Sequence, residues 1–144
     1  MKVLIDTNII LDVLLDRKPF SINSAELFKL AEQERIEAYI TSNSVTDIVY
    51  ILRKAYDIST IKENLMIMFG FIKILNVSAS DILKAFEIKT NDFEDAVIIQ
   101  YASRIEANYI ITRDTKGFKD SPVSCMTAEQ FIYSFSSREN LVNQ

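Results

Sequence analysis

Apolar runs of only four or five residues recur along this chain with helix-length amphipathic stretches between them, and that alternation leaves few folds open. Lys2–Asp6 is an apolar run closed by an acid, the pattern of a strand covered on both faces. Thr7–Asp16 then carries Ile10, Val13 and Leu14 at helical spacing. Pro19 and Phe20 break the pattern before a second helix around Ser21–Glu34. A strand at Glu37–Ile40 leads into a helix from Ser44 to Ala55 with Ile48, Ile51 and Leu52 on its inner face. Thr60 with Glu63 fits a capping box for a helix striped by Ile61, Leu65, Met68 and Ile72. Lys73–Val77 reads as the third strand, Ser80–Ile88 as a helix, and Asp92–Glu106 as a helix apolar nearly all round and therefore buried. Tyr109–Thr112 is the fourth strand, and a short fifth at Ser124–Met126 precedes a helix capped by Thr127 with Gln130.

Strands separated by helical crossovers imply a mostly parallel sheet of about five strands with helices on both faces, a three-layer α/β/α sandwich. At 144 residues, 49% of them hydrophobic and 25% charged, the chain can bury a sizeable core as one domain spanning 1–144. Two glycines and two prolines mark no linker and no repeat. The lone Cys125 rules out an internal disulfide. No basic segment followed by an apolar one opens the chain, and the longest apolar runs are too short for a bilayer, so the expected location is the cytoplasm.

In such a sheet the ligand crevice lies beyond the carboxyl ends of the strands. Asp6 and Asp114 fall at that edge, and Asp47 and Asp95 fall in first turns of helices that can face it. Each has a local reading when taken singly. Asp6 suits a helix cap worth about 1 kcal/mol, Asp47 suits a capping box with Ser44, and Asp92, Glu94 and Asp95 complement a helix N-terminus. Asp114 suits a turn. Asp95 fits its local reading least well, because its stripe continues through Ile98, Ile99 and Ala102 and heads an apolar face. Caps do not need acids to converge, whereas carboxylates gathered at one edge repel unless a cation sits among them. With no histidine and one cysteine the chain cannot build a zinc site of the usual kind, and hard oxygen donors suit Mg²⁺ or Mn²⁺. The net charge of −4 argues against a surface built to coat nucleic acid but not against an enzyme that acts on it.

Asp6-Thr7-Asn8 after the first strand, the acid of the third helix, Asp92-Phe93-Glu94-Asp95-Ala96 and Thr112-Arg113-Asp114 together resemble the PIN domain, in its order and over the whole chain. The resemblance implies a PIN-like fold and a Mg²⁺- or Mn²⁺-dependent endoribonuclease that hydrolyses RNA phosphodiester bonds. Small members are often toxins of the VapC type held inactive by a cognate antitoxin. An antitoxin or a second copy of the chain would then be the protein partner. The family's acids fall on Asp6, Asp47, Asp95 and Asp114 as the catalytic set, with Asn8 and Thr112 as polar support. Metal would be held by Asp6, Asp95 and Asp114, with Asp92 one turn earlier as an alternative ligand to Asp95. The second acid of the family is more often glutamate, so the shorter Asp47 would act through water. Arg113 and Lys116 are candidates for phosphates of the scissile strand, and Arg53 and Lys54 for flanking ones. Phe93, Tyr101 and Phe118 could stack bases, although helical spacing assigns Phe93 and Tyr101 to the core.

Two readings compete. A phosphoacceptor signalling domain would want an aspartate closing the third strand and a lysine closing the last, where this chain has Val77-Ser78 and Met126-Thr127. An inert PIN-like module would keep the fold and bind protein.

Overall fold

All five strands run parallel, each returned to the sheet by a helical segment. The computed structural model, which describes residues 1–144, comprises β1 (Lys2–Ile5), α1 (Thr7–Leu14), α2 (Phe20–Glu32), β2 (Glu37–Thr41), α3 (Ser42–Leu52), α4 (Ile58–Met68) and β3 (Ile72–Leu75). Then come α5 (Ala79–Ala85), α6 (Phe93–Arg104), β4 (Tyr109–Ile111), a 3-10 turn (Thr115–Phe118), β5 (Cys125–Met126) and α7 (Ala128–Val142). The strand order is β3-β2-β1-β4-β5, with Leu4 in register with Tyr39 on one side and Ile110 on the other.

Successive side chains of a strand point to opposite faces of the sheet, and here that rule divides the core in two. Val3, Ile5, Ala38, Ile40 and Ile111 pack with residues of α1, α2, α3, α4 and α7. Leu4 and Ile110 pack on the other face with Ala96, Val97, Ile99 and Tyr101 of α6. The expected three-layer sandwich is therefore what the chain forms. No helix is long and apolar enough to cross a membrane.

Sheet order reverses between β1 and β4, so the chain leaves those two strands toward opposite sides and opens a crevice at their carboxyl ends. The backbone N–H of Asp6 donates to the carbonyl of Ile111 (2.9 Å), which holds the two exits side by side. The third strand lies at the sheet's edge, away from this crevice, and ends at Leu75, with Asn76 following it. Both its place and its residues remove the phosphoacceptor reading, which needs an acid there.

Several boundaries differ from the sequence expectation for local reasons. Phe20 opens α2 and does not break the chain before it. Thr41, whose hydroxyl accepts from Ser44 N (3.1 Å), caps α3, so Ser44 lies inside the helix and Asp47 has no capping role. Asp57 and not Thr60 caps α4, its Oδ1 accepting from Thr60 N (2.8 Å). Ile72 belongs to β3, where a buried strand residue satisfies the same apolar stripe. Ser78 and Asp81 form the capping box of α5, which opens at Ala79, one residue before the expected start. Thr127 and Gln130 cap α7 as expected.

With two glycines in the chain, helices α1, α2 and α6 close on acids in the left-handed region: Asp16 (φ 47°), Glu34 (φ 57°) and Glu106 (φ 54°). A β-carbon is disfavoured there by roughly 1 kcal/mol, while glycine is not. Glu34→Gly should therefore raise stability by ~0.5–1 kcal/mol in urea denaturation, and a loss of stability would show that the Glu34 side chain matters more than its backbone.

Candidate active site

Asp6 follows β1 directly, and its two oxygens are already spoken for by the fold. Oδ1 accepts from Thr7 N (2.8 Å), capping α1, and Oδ2 accepts from the Thr112 hydroxyl (2.8 Å) at the end of β4. The Thr112 hydroxyl in turn accepts from Asp114 N (3.1 Å), which sets the path of the loop carrying that acid. Thr112 is fully buried, and its hydroxyl donates to Asp6 and accepts from Asp114 N, contacts that the β-preference of a threonine does not explain. Capping and site placement are one role for Asp6, not competing ones.

The start of α6 faces the same crevice. Asp92 is its N-cap, with Oδ1 accepting from Glu94 N (2.9 Å) and Asp95 N (3.4 Å). Asp95, half-buried one turn on, accepts no hydrogen bond from the protein, and nor do Asp114 and Asp47. Asp6, Asp47, Asp92, Glu94, Asp95 and Asp114 all line one cleft of about 730 Å³, with Asn8 on its wall. A hydroxyl chain fixes the wall that brings Asp47: Thr7 Oγ1 donates to Ser44 Oγ (3.0 Å), which lies 3.1 Å from Thr41 Oγ1.

Electrostatics reports the crowding. Burial, then the charges of Asp92, Asp6, Asp114 and Glu94, pushes the Asp95 carboxyl up to about 6. Burial likewise raises Asp6, against the lowering hydrogen bonds of Thr112 and Thr7 and with the charges of Asp114 and Asp92. Glu94 is raised by burial and by Asp47, Asp92 and Asp6. Glu94 is thus a member of the cluster that sequence reasoning left as a helix-start acid. Its signal was its place between Asp92 and Asp95 in a single turn.

The carboxylates line one cleft, yet no three of them lie close enough to close on a single ion. The donors are all hard oxygens, as Mg²⁺ or Mn²⁺ requires. Gly117 also leaves room for them: a Cβ there would collide with Asp95 Oδ2 and sit 3.6 Å from Asp114 Oδ2. Backbone without a side chain lets those two carboxylates be neighbours.

The basic residues divide. Lys54 lines the acid cleft, its ammonium 5.3 Å from the Tyr50 ring centre. Lys116 lines an adjoining groove of about 1040 Å³ that shares Asp92, Asp95 and Asp114 with the first. Arg53, at the end of α3, lines neither. Arg113 turns to the opposite side. Its Nε lies 3.0 Å from Oδ2 of the fully buried Asp12, at ion-pair distance though off the line of a hydrogen bond, and its guanidinium stacks on Phe20 at 4.4 Å. The structure makes Arg113 a tie between α1 and the Asp114 loop. Of the three aromatic candidates, Tyr101 and Phe118 are buried and Phe93 lines the cleft, 41% exposed.

The acids thus gather at the switch point between β1 and β4, where open α/β sheets keep their ligand crevice. The family model of the PIN domain matches residues 2–116, and the chain belongs to that family. Among solved structures, the chain is similar to VapBC2 from Rickettsia felis bound to a DNA fragment from their promoter, with 22% identity and a TM-score of 0.66 over 88% of this chain and 98% of that one. It is similar to FitAcB from Neisseria gonorrhoeae at 18% identity and a TM-score of 0.68, covering 88% and 97%. It is also similar to VapC20 of Mycobacterium tuberculosis, a sarcin-ricin loop cleaving toxin, at 10% identity and a TM-score of 0.62, covering 79% and 92%. At these identities the likeness is one of fold. No curated protein sequence matches the chain.

The raised carboxyls fix a sign. Asp6 and Asp95 titrate above an unfolded aspartate, near 3.9. Between about pH 4 and the folded value of about 6 for Asp95 the folded protein therefore binds more protons than the unfolded one. Stability of the metal-free protein falls as pH rises through that window. Asp95→Asn should remove part of the fall and stabilise the metal-free protein at pH 7 by ~1–2 kcal/mol, allowing for partial solvent exposure. Urea denaturation in EDTA at pH 4.5, 6 and 7.5 measures it; an Asn variant less stable at neutral pH would mean that Asp95 is not crowded.

Proposed function

We propose that this PIN domain is a Mg²⁺- or Mn²⁺-dependent endoribonuclease that acts as the toxin of a toxin–antitoxin pair. The observation that carries this is the convergence of Asp6, Asp92, Asp95 and Asp114 on one cleft at the sheet's switch point, where burial and mutual repulsion raise Asp6 and Asp95. Asp6, Asp95 and Asp114 would hold the ion, with Asp92 beside them and Asp47 and Glu94 at the rim. When bound, such an ion supplies a nucleophilic water near neutral pH and positive charge for the attacked phosphate.

The protein's own groups do the rest. The Thr112 hydroxyl and Thr7 N–H orient Asp6, so its carboxylate does not rotate when charge enters the cleft. Asp92 is held by two backbone N–H groups, which leaves Asp95 the freer carboxylate to close on a ligand. Asp47, a residue shorter in reach than glutamate, orients water at the cleft wall. With no histidine in the chain, metal-free acid–base cleavage by an imidazole pair is not open to it. The toxin role takes support from the similar solved structures, among them a toxin–antitoxin complex from Klebsiella pneumoniae and the sarcin-ricin loop cleaving toxin VapC20. The proposed partner is accordingly a cognate antitoxin, and the proposed location is the cytoplasm, where both RNA and antitoxin would be met.

The purified protein should cut a labelled single-stranded RNA with Mg²⁺ or Mn²⁺ and not with EDTA. Asp6→Asn and Asp95→Asn should abolish cutting, and Thr112→Val, which frees Asp6, should slow it about 10- to 100-fold. Protein that cuts no RNA from a total cellular pool with either ion, while binding a neighbour-encoded protein, would establish the inert module in place of the nuclease.

A further inference from the structure

Two grooves meet at the acids, and their walls differ in kind. In the first, Phe93 of α6 and Tyr50 of α3 both line the cleft, with Lys54 over the Tyr50 ring. Phe93 is stacked on Phe86 of the α5 exit, ring centres 4.5 Å apart and planes 26° from parallel. Phe86 and Tyr50 are each 70% exposed. Rings paired with each other and left open to solvent beside a polar cleft are not core. In the second groove Lys89, Lys116 and Lys119 line the wall beside Asp120, all exposed, and the lysines make no ion pair with any carboxylate. Only Asp92, Asp95 and Asp114 belong to both.

We infer that a single strand of RNA crosses the acids with its two arms held by different forces: bases on one side stack on the Phe86–Phe93 pair and Tyr50, and phosphates on the other side pair with Lys89, Lys116 and Lys119. The inference rests on the ribonuclease reading for the place of the scissile phosphate. Every base has a π-face, so the aromatic arm accepts any sequence but only unpaired bases, because a duplex keeps its faces stacked inside. The lysine arm reads charge alone. A second copy of this chain docked on the aromatic rings would need no lysine-lined groove continuing from them across the acids. The combination of stacking faces, free cations and a shared acidic centre suits a single-stranded polyanion.

Binding of a fluorescent single-stranded 12-mer RNA, measured by anisotropy in Ca²⁺ with the probe checked intact on a gel, separates the two arms. Phe86→Ala should weaken binding about tenfold with an unchanged salt dependence. Lys89→Ala with Lys119→Ala should weaken it and lower the slope of log K against log salt by about 1.4. Tyr133→Ala, an exposed aromatic on α7 that lines neither groove, should change neither. Duplex RNA of the same sequence should bind weakly to all. Overturning results are wild-type protein that does not bind the single strand, Phe86→Ala that binds as wild type, or a lysine variant with the wild-type slope. A lowered oligomeric mass for Phe86→Ala with unchanged RNA binding would assign the rings to a contact between copies and equally overturn it. Cutting in Mg²⁺ is scored separately: a protein that binds in this pattern but never cuts fails as a nuclease and not as a single-strand binder.

Discussion

The hydrogen bond from the Thr112 hydroxyl to Asp6 Oδ2 joins the two strands at which the sheet reverses its order, and the site depends on that link. One oxygen of Asp6 starts α1 and the other is tied to β4, so helix, sheet and cleft share a single carboxylate. The same threonine accepts from Asp114 N, and through it the loop that delivers a second acid is set by the first. A hydroxyl between two carboxylate-bearing segments can donate to one and accept from the other's backbone, which neither valine nor serine's freer rotor would do with the same fixity.

Around that link the protein accepts an electrostatic cost. Six acids line one cleft, and burial with mutual repulsion holds Asp6, Glu94 and Asp95 above the ordinary carboxylate range. Stabilisation of the same loop comes from elsewhere. Arg113, the residue before Asp114, reaches back to the buried Asp12 of α1, which Arg17 also approaches at 3.9 Å. Burial pushes the Asp12 carboxyl up, and the charges of Arg113 and Arg17 pull it back only in part. Removing one partner of such a pair commonly costs ~3–5 kcal/mol because the other charge is left behind. The loop is thus anchored on one side of the strand so that its acid can face an unfavourable neighbourhood on the other.

Much of this was legible in residue order. Periodicity placed every strand and nearly every helix, because strands covered on both faces read as short apolar runs and α6, buried almost all round, reads as apolar almost all round. The acids at strand ends follow from the same reading, since a parallel sheet has only one functional edge. What escaped was set by side-chain direction and tertiary pairing. Asp47 beside Ser44 looks like a capping pair until Thr41 is found to be the cap. Ile72 continues the helical stripe of α4 because period 3.6 and a buried strand residue coincide at one position. Arg113 carries a charge that sequence assigns to phosphate, and only the fold reveals Asp12 as its partner, a residue about a hundred positions away with no local sign of burial. Glu94 and the Phe86–Phe93 stack depend on which way the start of α6 faces, which spacing alone does not tell.

Whether these acids form a cation site is decided most directly by thermal melts of wild type, Asp6→Asn and Asp95→Asn with and without millimolar Mg²⁺. A ligand bound only by the folded state stabilises it by mass action, by ~2.7 kcal/mol at a hundred times its dissociation constant. Mg²⁺ should therefore raise the Tm of wild type clearly and that of each asparagine variant much less, while without metal Asp95→Asn melts at or above wild type and Asp6→Asn, whose amide NH2 cannot accept from both Thr7 N and the Thr112 hydroxyl, melts no higher than Asp95→Asn. An equal metal-induced shift in all three proteins would contradict the assignment of Asp6 and Asp95 as ligands.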